Sequence, residues 1–77
     1  MTTQEELAIR LKQLGIRVTP QRLAIAEVVI NSRDHPSVKD VFERVKAFFP
    51  YVTLATVYAT LDLLERAAIV RELPFQR

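Results

Sequence analysis

A mainly α (α+β) domain of four helices, with one strand at its C-terminal end, is the fold the 77-residue sequence predicts. Three observations predict it. Apolar residues recur at helical spacing in four separate segments. Each segment starts just behind a Thr or Ser that can cap a helix. The last two segments are separated by little more than Pro50-Tyr51-Val52, which is the spacing of a helix-turn-helix.

The first helix is expected to start at Thr3. Thr3-Gln4-Glu5-Glu6 has the form of a capping box, with Glu6 reaching back to the cap. Leu7, Leu11 and Leu14 follow as one stripe, and Gly15, the single glycine, stands where a left-handed stop belongs. For the second helix, Thr19 caps and Pro20 occupies the first helical position, where a missing N–H costs nothing. Leu23, Ala24, Ile25, Ala26, Val28, Val29 and Ile30 make this helix apolar nearly all round, interrupted by Glu27, so it is expected at the centre of the domain. Asn31 to Pro36 then read as a turn.

Ser37 with Asp40 forms a second capping pattern and opens the third helix. Its inner stripe is Val38, Val41, Phe42, Val45, Phe48 and Phe49, and Pro50 is expected to end it. Thr53 caps the fourth helix, whose inner stripe is Leu54, Val57, Leu61, Leu64 and Ala68. Ala55, Ala59, Asp62 and Arg66 fall on the opposite face, with Thr56 and Tyr58 on the flanks. Ile69-Val70-Arg71-Glu72-Leu73 reads as a strand. A lone strand needs a partner, which is expected beyond Arg77, as in a piece of a longer protein.

Composition narrows the function. At 8.9 kDa the chain is one small domain. It has no Cys and a single His, His35, which removes a disulfide framework, a thiolate metal site and a Cys nucleophile. Neither a Gly-rich phosphate loop nor a nucleophile–base–orienter set is present, so no enzyme and no small-molecule substrate are expected. No apolar run approaches the ~18 residues of a membrane helix. The N-terminus is polar and acidic rather than a secretory signal, and the expected compartment is the cytoplasm. The net charge is only +2, but residues 7–26 hold Arg10, Lys12, Arg17 and Arg22 and no acid. Charge alone favours the plain reading, a solvated helix face plus a loop, over a nucleic-acid surface.

The fourth helix is the informative element. Ala55 and Ala59 would let a backbone or a groove come close, and the N-terminal part of the second helix of a helix-turn-helix is what meets base edges. Thr53 offers a hydroxyl at a helix start and Tyr58 a ring and a hydroxyl. The same residues also read as ordinary helix formers around a partly buried aromatic. Arg17, in the loop before Thr19, suits a narrow minor groove or plain solvent. Thr19, Gln21 and Arg22 open the second helix and could hold phosphate; Arg22 could equally pair with Glu27 or another acid. Asp62 and Glu65 oppose a phosphate backbone unless they point away. A helical protein–protein module, docking by the Ala and Leu63 side of the fourth helix, is the alternative to DNA binding. An isolated loop His such as His35 lacks the further donors a metal site needs.

Taken together, Gly15-Ile16-Arg17-Val18-Thr19-Pro20-Gln21-Arg22, His35-Pro36-Ser37, Leu54-Ala55-Thr56-Val57-Tyr58 and Ile69-Val70 resemble the N-terminal half of the ferric uptake regulator (Fur) family, over about Leu7 to Leu73. The His-Pro-Ser start of the third helix is most similar to the peroxide- and manganese-sensing members. The resemblance implies a winged helix-turn-helix with an incomplete C-terminal wing, residues 69–77 being its first strand. It implies a metal-responsive transcriptional regulator, a repressor as a rule, that binds A·T-rich palindromic double-stranded DNA as a homodimer through a C-terminal domain this chain lacks. It implies that the helix over 53–67 enters the major groove with Tyr58 on thymine, that Arg17 reaches the minor groove, and that Thr53, Ala55 and Thr56 lie beside phosphates and bases. It also implies a regulatory divalent metal, iron, manganese or zinc, for which His35 matches the one ligand given by the DNA-binding half. Ala59 departs from the family pattern, standing where many members have arginine, and Ala67-Ala68 stands where a glycine is common.

Overall fold

The computed structural model describes residues 3–32 and 36–67. Four helices are present in chain order: α1 (Gln4–Gln13), α2 (Pro20–Ile30), α3 (Val38–Lys46) and α4 (Leu54–Arg66). The expected strand over Ile69 to Leu73, with Ala68, lies outside the described residues, as does the segment 33–35.

Every helix starts where its cap places it. Thr3, Thr19, Ser37 and Thr53 all have extended backbone, and each side chain accepts a hydrogen bond from the backbone N–H three residues on. Such a bond satisfies one of the donors that a helix start leaves without a partner. Only α3 makes the reciprocal capping box, in which the Asp40 carboxylate accepts from the Ser37 N–H at 3.1 Å. In α1 the Thr3 half of the box forms, without the return bond from Glu6.

The exit from α1 also follows its glycine. Gly15 has φ +80°. Its N–H donates to the Lys12 carbonyl at 3.0 Å, and the Ile16 N–H donates to the Leu11 carbonyl at 2.9 Å. This is a Schellman closure, and it turns Ile16 back onto the core beside Leu11.

The core is a single cluster. Leu11, Ile25, Ala26, Val29, Val38, Val41, Val45, Val52, Val57, Leu61 and Leu64 are buried together, with Ile16, Val18, Leu23, Phe42 and Phe49 packed around them. α2 touches all three other helices, the central position its apolar sequence predicts.

Two stripes end earlier than their spacing predicts, and a third begins later. Leu14 is the C-cap of α1 and is exposed. α3 stops at Lys46, with Ala47 as its cap, rather than at Pro50. Phe48 is 80% exposed as a result, while Phe49 packs inward. Leu54, in the first turn of α4, is also exposed. In each case the apolar pattern runs one step into a cap or first turn, where the side chain no longer points along the core-facing stripe. Conversely Thr60 is buried at 3% exposure on the inner face of α4. Its hydroxyl donates to the Thr56 carbonyl at 2.8 Å, so no polar atom is left unpaired by its burial.

Candidate nucleic-acid interface

Residues 47–53 join α3 to α4, a longer connection than the three or four residues the sequence predicts. Val52 anchors it: its side chain is buried and its N–H donates to the Phe49 carbonyl at 3.0 Å. The connection delivers Thr53 to the start of α4. There the Thr53 hydroxyl accepts from the Thr56 N–H at 3.1 Å and pairs with the Thr56 hydroxyl at 3.0 Å. Thr53 is therefore a structural cap, and an anion at this end would meet the first-turn N–H groups, which have no partner within the helix. Thr53, Ala55, Tyr58 and Ala59 are all exposed, and Thr56 is half-buried between them. Tyr58 stands 39% exposed. The outward face of the N-terminal half of α4 is thus made of small residues flanked by one aromatic hydroxyl. Asp62, one turn further along the same face as Ala55 and Ala59, and Glu65 are half-buried and each is already held by a partner.

A second group forms at the start of α2. Arg17 is exposed. The Arg22 guanidinium donates to the Arg17 carbonyl at 2.9 Å, across the loop that Thr19 closes by accepting from the Arg22 N–H. Arg22 therefore braces the loop that presents Arg17. It does not pair with Glu27, whose Oε2 is buried without a hydrogen-bond partner. Thr19, Pro20 and Gln21 border a cleft whose other wall is Phe49, so the start of α2 adjoins the connection leading to α4.

The two groups share an electrostatic feature. The first turns of α2 and α4 contain no acid, whereas α1 has Glu5 and Glu6 there and α3 has Asp40. A helix start carries roughly half a positive elementary charge. α1 and α3 neutralise theirs with their own carboxylates; α2 and α4 do not.

Sequence reasoning missed Tyr51, which is 93% exposed two residues before the Thr53 cap, and the exposed Phe48. The signal available was their place in the connection of a helix-turn-helix. His35 lies outside the described residues. Among those that are described, no three His, Cys, Asp or Glu side chains come together to hold a metal. The described residues do not fit a metal site by themselves. No helix among them is long and apolar enough to cross a membrane.

The profile of the ferric uptake regulator family matches residues 13–77. The chain belongs to the ferric uptake regulator family. That family consists of transcription regulators rather than enzymes. Among relatives, the chain is 40% identical over 65 residues to the peroxide operon regulator of Bacillus subtilis, covering 84% of this chain and 45% of the relative. It is 38% identical over 71 residues to the peroxide-responsive repressor PerR of Staphylococcus aureus, covering 92% and 48%. Among solved structures, PerR from Streptococcus pyogenes superposes with a TM-score of 0.73 at 33% identity, over 87% of this chain and 46% of that one. A structure of GAS PerR-Zn-Zn gives 0.72 at 34% identity, over 83% and 41%. The peroxide-sensing branch to which the His-Pro-Ser motif points is the branch of these relatives. The chain spans a little under half the length of each. The fold class is the mainly helical winged helix-turn-helix expected from the sequence.

Proposed function

We propose that this chain is the DNA-binding half of a metal-responsive transcriptional repressor that reads A·T-rich palindromic operators with α4 in the major groove. The observation that carries the reading is the open N-terminal half of α4: small exposed residues and Tyr58 on a helix whose first turn holds no acid, entered through a helix-turn-helix connection. Ala55 and Thr56 approach base edges, and the Tyr58 ring meets a thymine methyl, an apolar contact that side chains make in the major groove. The first-turn N–H groups of α4, next to the Thr53 cap, meet a backbone phosphate. Arg17 enters the adjacent minor groove on a loop that Arg22 and Thr19 hold in shape, with Gln21 beside it. Arg10 and Lys12, both exposed, add phosphate contacts that make binding salt-dependent.

The regulatory divalent ion, iron, manganese or zinc, would take His35 as this chain's one ligand, with its other donors from residues outside the chain. A homodimer through a C-terminal domain would align two copies of α4 with the two halves of a palindrome and raise effective concentration.

The test is fluorescence anisotropy of an A·T-rich duplex and a G·C-rich control, titrated with the chain across a range of salt. The reading predicts at least about tenfold tighter binding of the A·T-rich duplex and an affinity that falls steeply with salt. Equal affinity for both duplexes with a flat salt dependence, from a folded chain, would instead favour a protein-docking role for α4.

A further inference from the structure

Outside the proposed DNA-reading helix, the surface carries one cleft whose lining has a distinct chemistry. It lies between the outer side of α1 and the loop before α2, is open to solvent with a volume of about 530 Å³, and is lined by Ala8, Ile9, Lys12, Ile16, Arg17 and Val18. That volume falls within the ~300–1,000 Å³ of small-molecule sites. Four of the six lining residues are apolar and the other two are cations, with no acid among them. Neither Lys12 nor Arg17 has a side-chain ion pair or hydrogen bond among the described residues.

The walls are also preformed. Gly15 and the Ile16-to-Leu11 hydrogen bond fix where the loop leaves α1. The Arg22 guanidinium holds the Arg17 carbonyl from the other side. Ile9 is 59% exposed, so an apolar side chain is held open to solvent at the cleft instead of folding into the core. Two cations alone would suit a phosphate, but an inorganic anion or a DNA backbone gains nothing from the four apolar residues. An apolar body ending in one negative group uses both.

We propose that this cleft binds a small amphipathic anion, of the class of medium-chain carboxylates, with its charged end between Lys12 and Arg17 and its chain on Ala8, Ile9, Ile16 and Val18. The site rests on the cleft and not on the DNA-binding reading, although it shares Lys12 and Arg17 with that reading.

The test is a titration of the isotope-labelled 77-residue chain, followed by amide shifts, with octanoate, octylammonium and octanol in parallel. Octanoate moves the amides of the six lining residues saturably, and octylammonium binds at least about tenfold more weakly. Lys12→Ala weakens octanoate about threefold, the size of a solvent-exposed charge contact. Ile9→Asn, at an exposed position that leaves the core intact, weakens it about tenfold. Equal binding of octanoate and octylammonium, shifts spread over other surfaces, or no saturable shift from a folded chain overturns the proposal. No arm contains DNA, so its failure and a failure of the DNA-binding reading are told apart.

Discussion

α2 and α4 begin differently from α1 and α3, although all four helices use the same capping device. A Thr or Ser hydroxyl accepts from the N–H three residues on in every case. α1 and α3 then place carboxylates in the first turn, while α2 and α4 place none. A carboxylate there contributes about 0.3–1 kcal/mol to a helix. Two helices forgo that contribution: α4, which the helix-turn-helix connection enters, and α2, whose start lies against Phe49 of that connection. Stability alone gives no reason for the difference. An anionic partner does, because an acid at those ends would repel it.

This comparison can be broken by moving acids. Ala55→Glu puts a carboxylate in the first turn of α4 on the exposed face, and it is expected to weaken duplex binding by about a hundredfold with no loss of fold. Lys39→Glu, at the equally exposed start of α3, changes affinity much less. Similar losses from both would reduce the effect to net charge. Next in size, Tyr58→Ala is expected to weaken A·T-rich binding about tenfold and to narrow the gap to the G·C-rich control. Anisotropy on both duplexes checks it, and an unchanged gap removes Tyr58 from base reading. Arg17→Ala should lower the slope of log affinity against log salt by about one if its guanidinium neutralises a phosphate; an unchanged slope places it elsewhere.

The smallest expected effects are on stability, and they sharpen the contrast. Thr3→Ala and Thr53→Ala each remove a cap and should cost about 1 kcal/mol, read as a fall in melting temperature of roughly 4–8 °C. Only Thr53→Ala should also weaken DNA binding. Glu27→Gln tests the Oε2 of Glu27 on α2, which is buried without a hydrogen-bond partner among the described residues. Removing the charge from a buried oxygen that no donor faces should raise stability, by about 1 kcal/mol. A fall instead would mean that the charge has a compensating contact.

Helix starts were legible in the sequence because a cap is a local event: one short hydroxyl side chain, one N–H, three residues apart. Gly15 was legible for the same reason, since a positive φ favours glycine. Helix ends were not. Nothing in Val45 to Pro50 marks Lys46 as the last helical residue, and the apolar run continues into Phe48, which the turn then leaves in solvent. Thr60 was hidden because its burial depends on a bond to its own helix, which makes a polar residue behave as a core one. The partner of Arg22 was hidden because charge patterning pairs side chains with side chains, and the acceptor is a backbone carbonyl. Of the proposed interface, the exposed positions of Arg17, Ala55 and Tyr58 follow from the pattern, and the bonds around them do not: Arg22 braces the loop that carries Arg17, and Thr53 caps α4.

The most direct test of the central claim is an amide-shift titration of the chain with an A·T-rich half-site duplex beside a G·C-rich control, since it detects weak binding by a lone half. The account predicts shifts concentrated on residues 15–22 and 53–59, larger for the A·T-rich duplex. Shifts at the starts of α1 and α3 instead, or none at low salt from a folded chain, would contradict it.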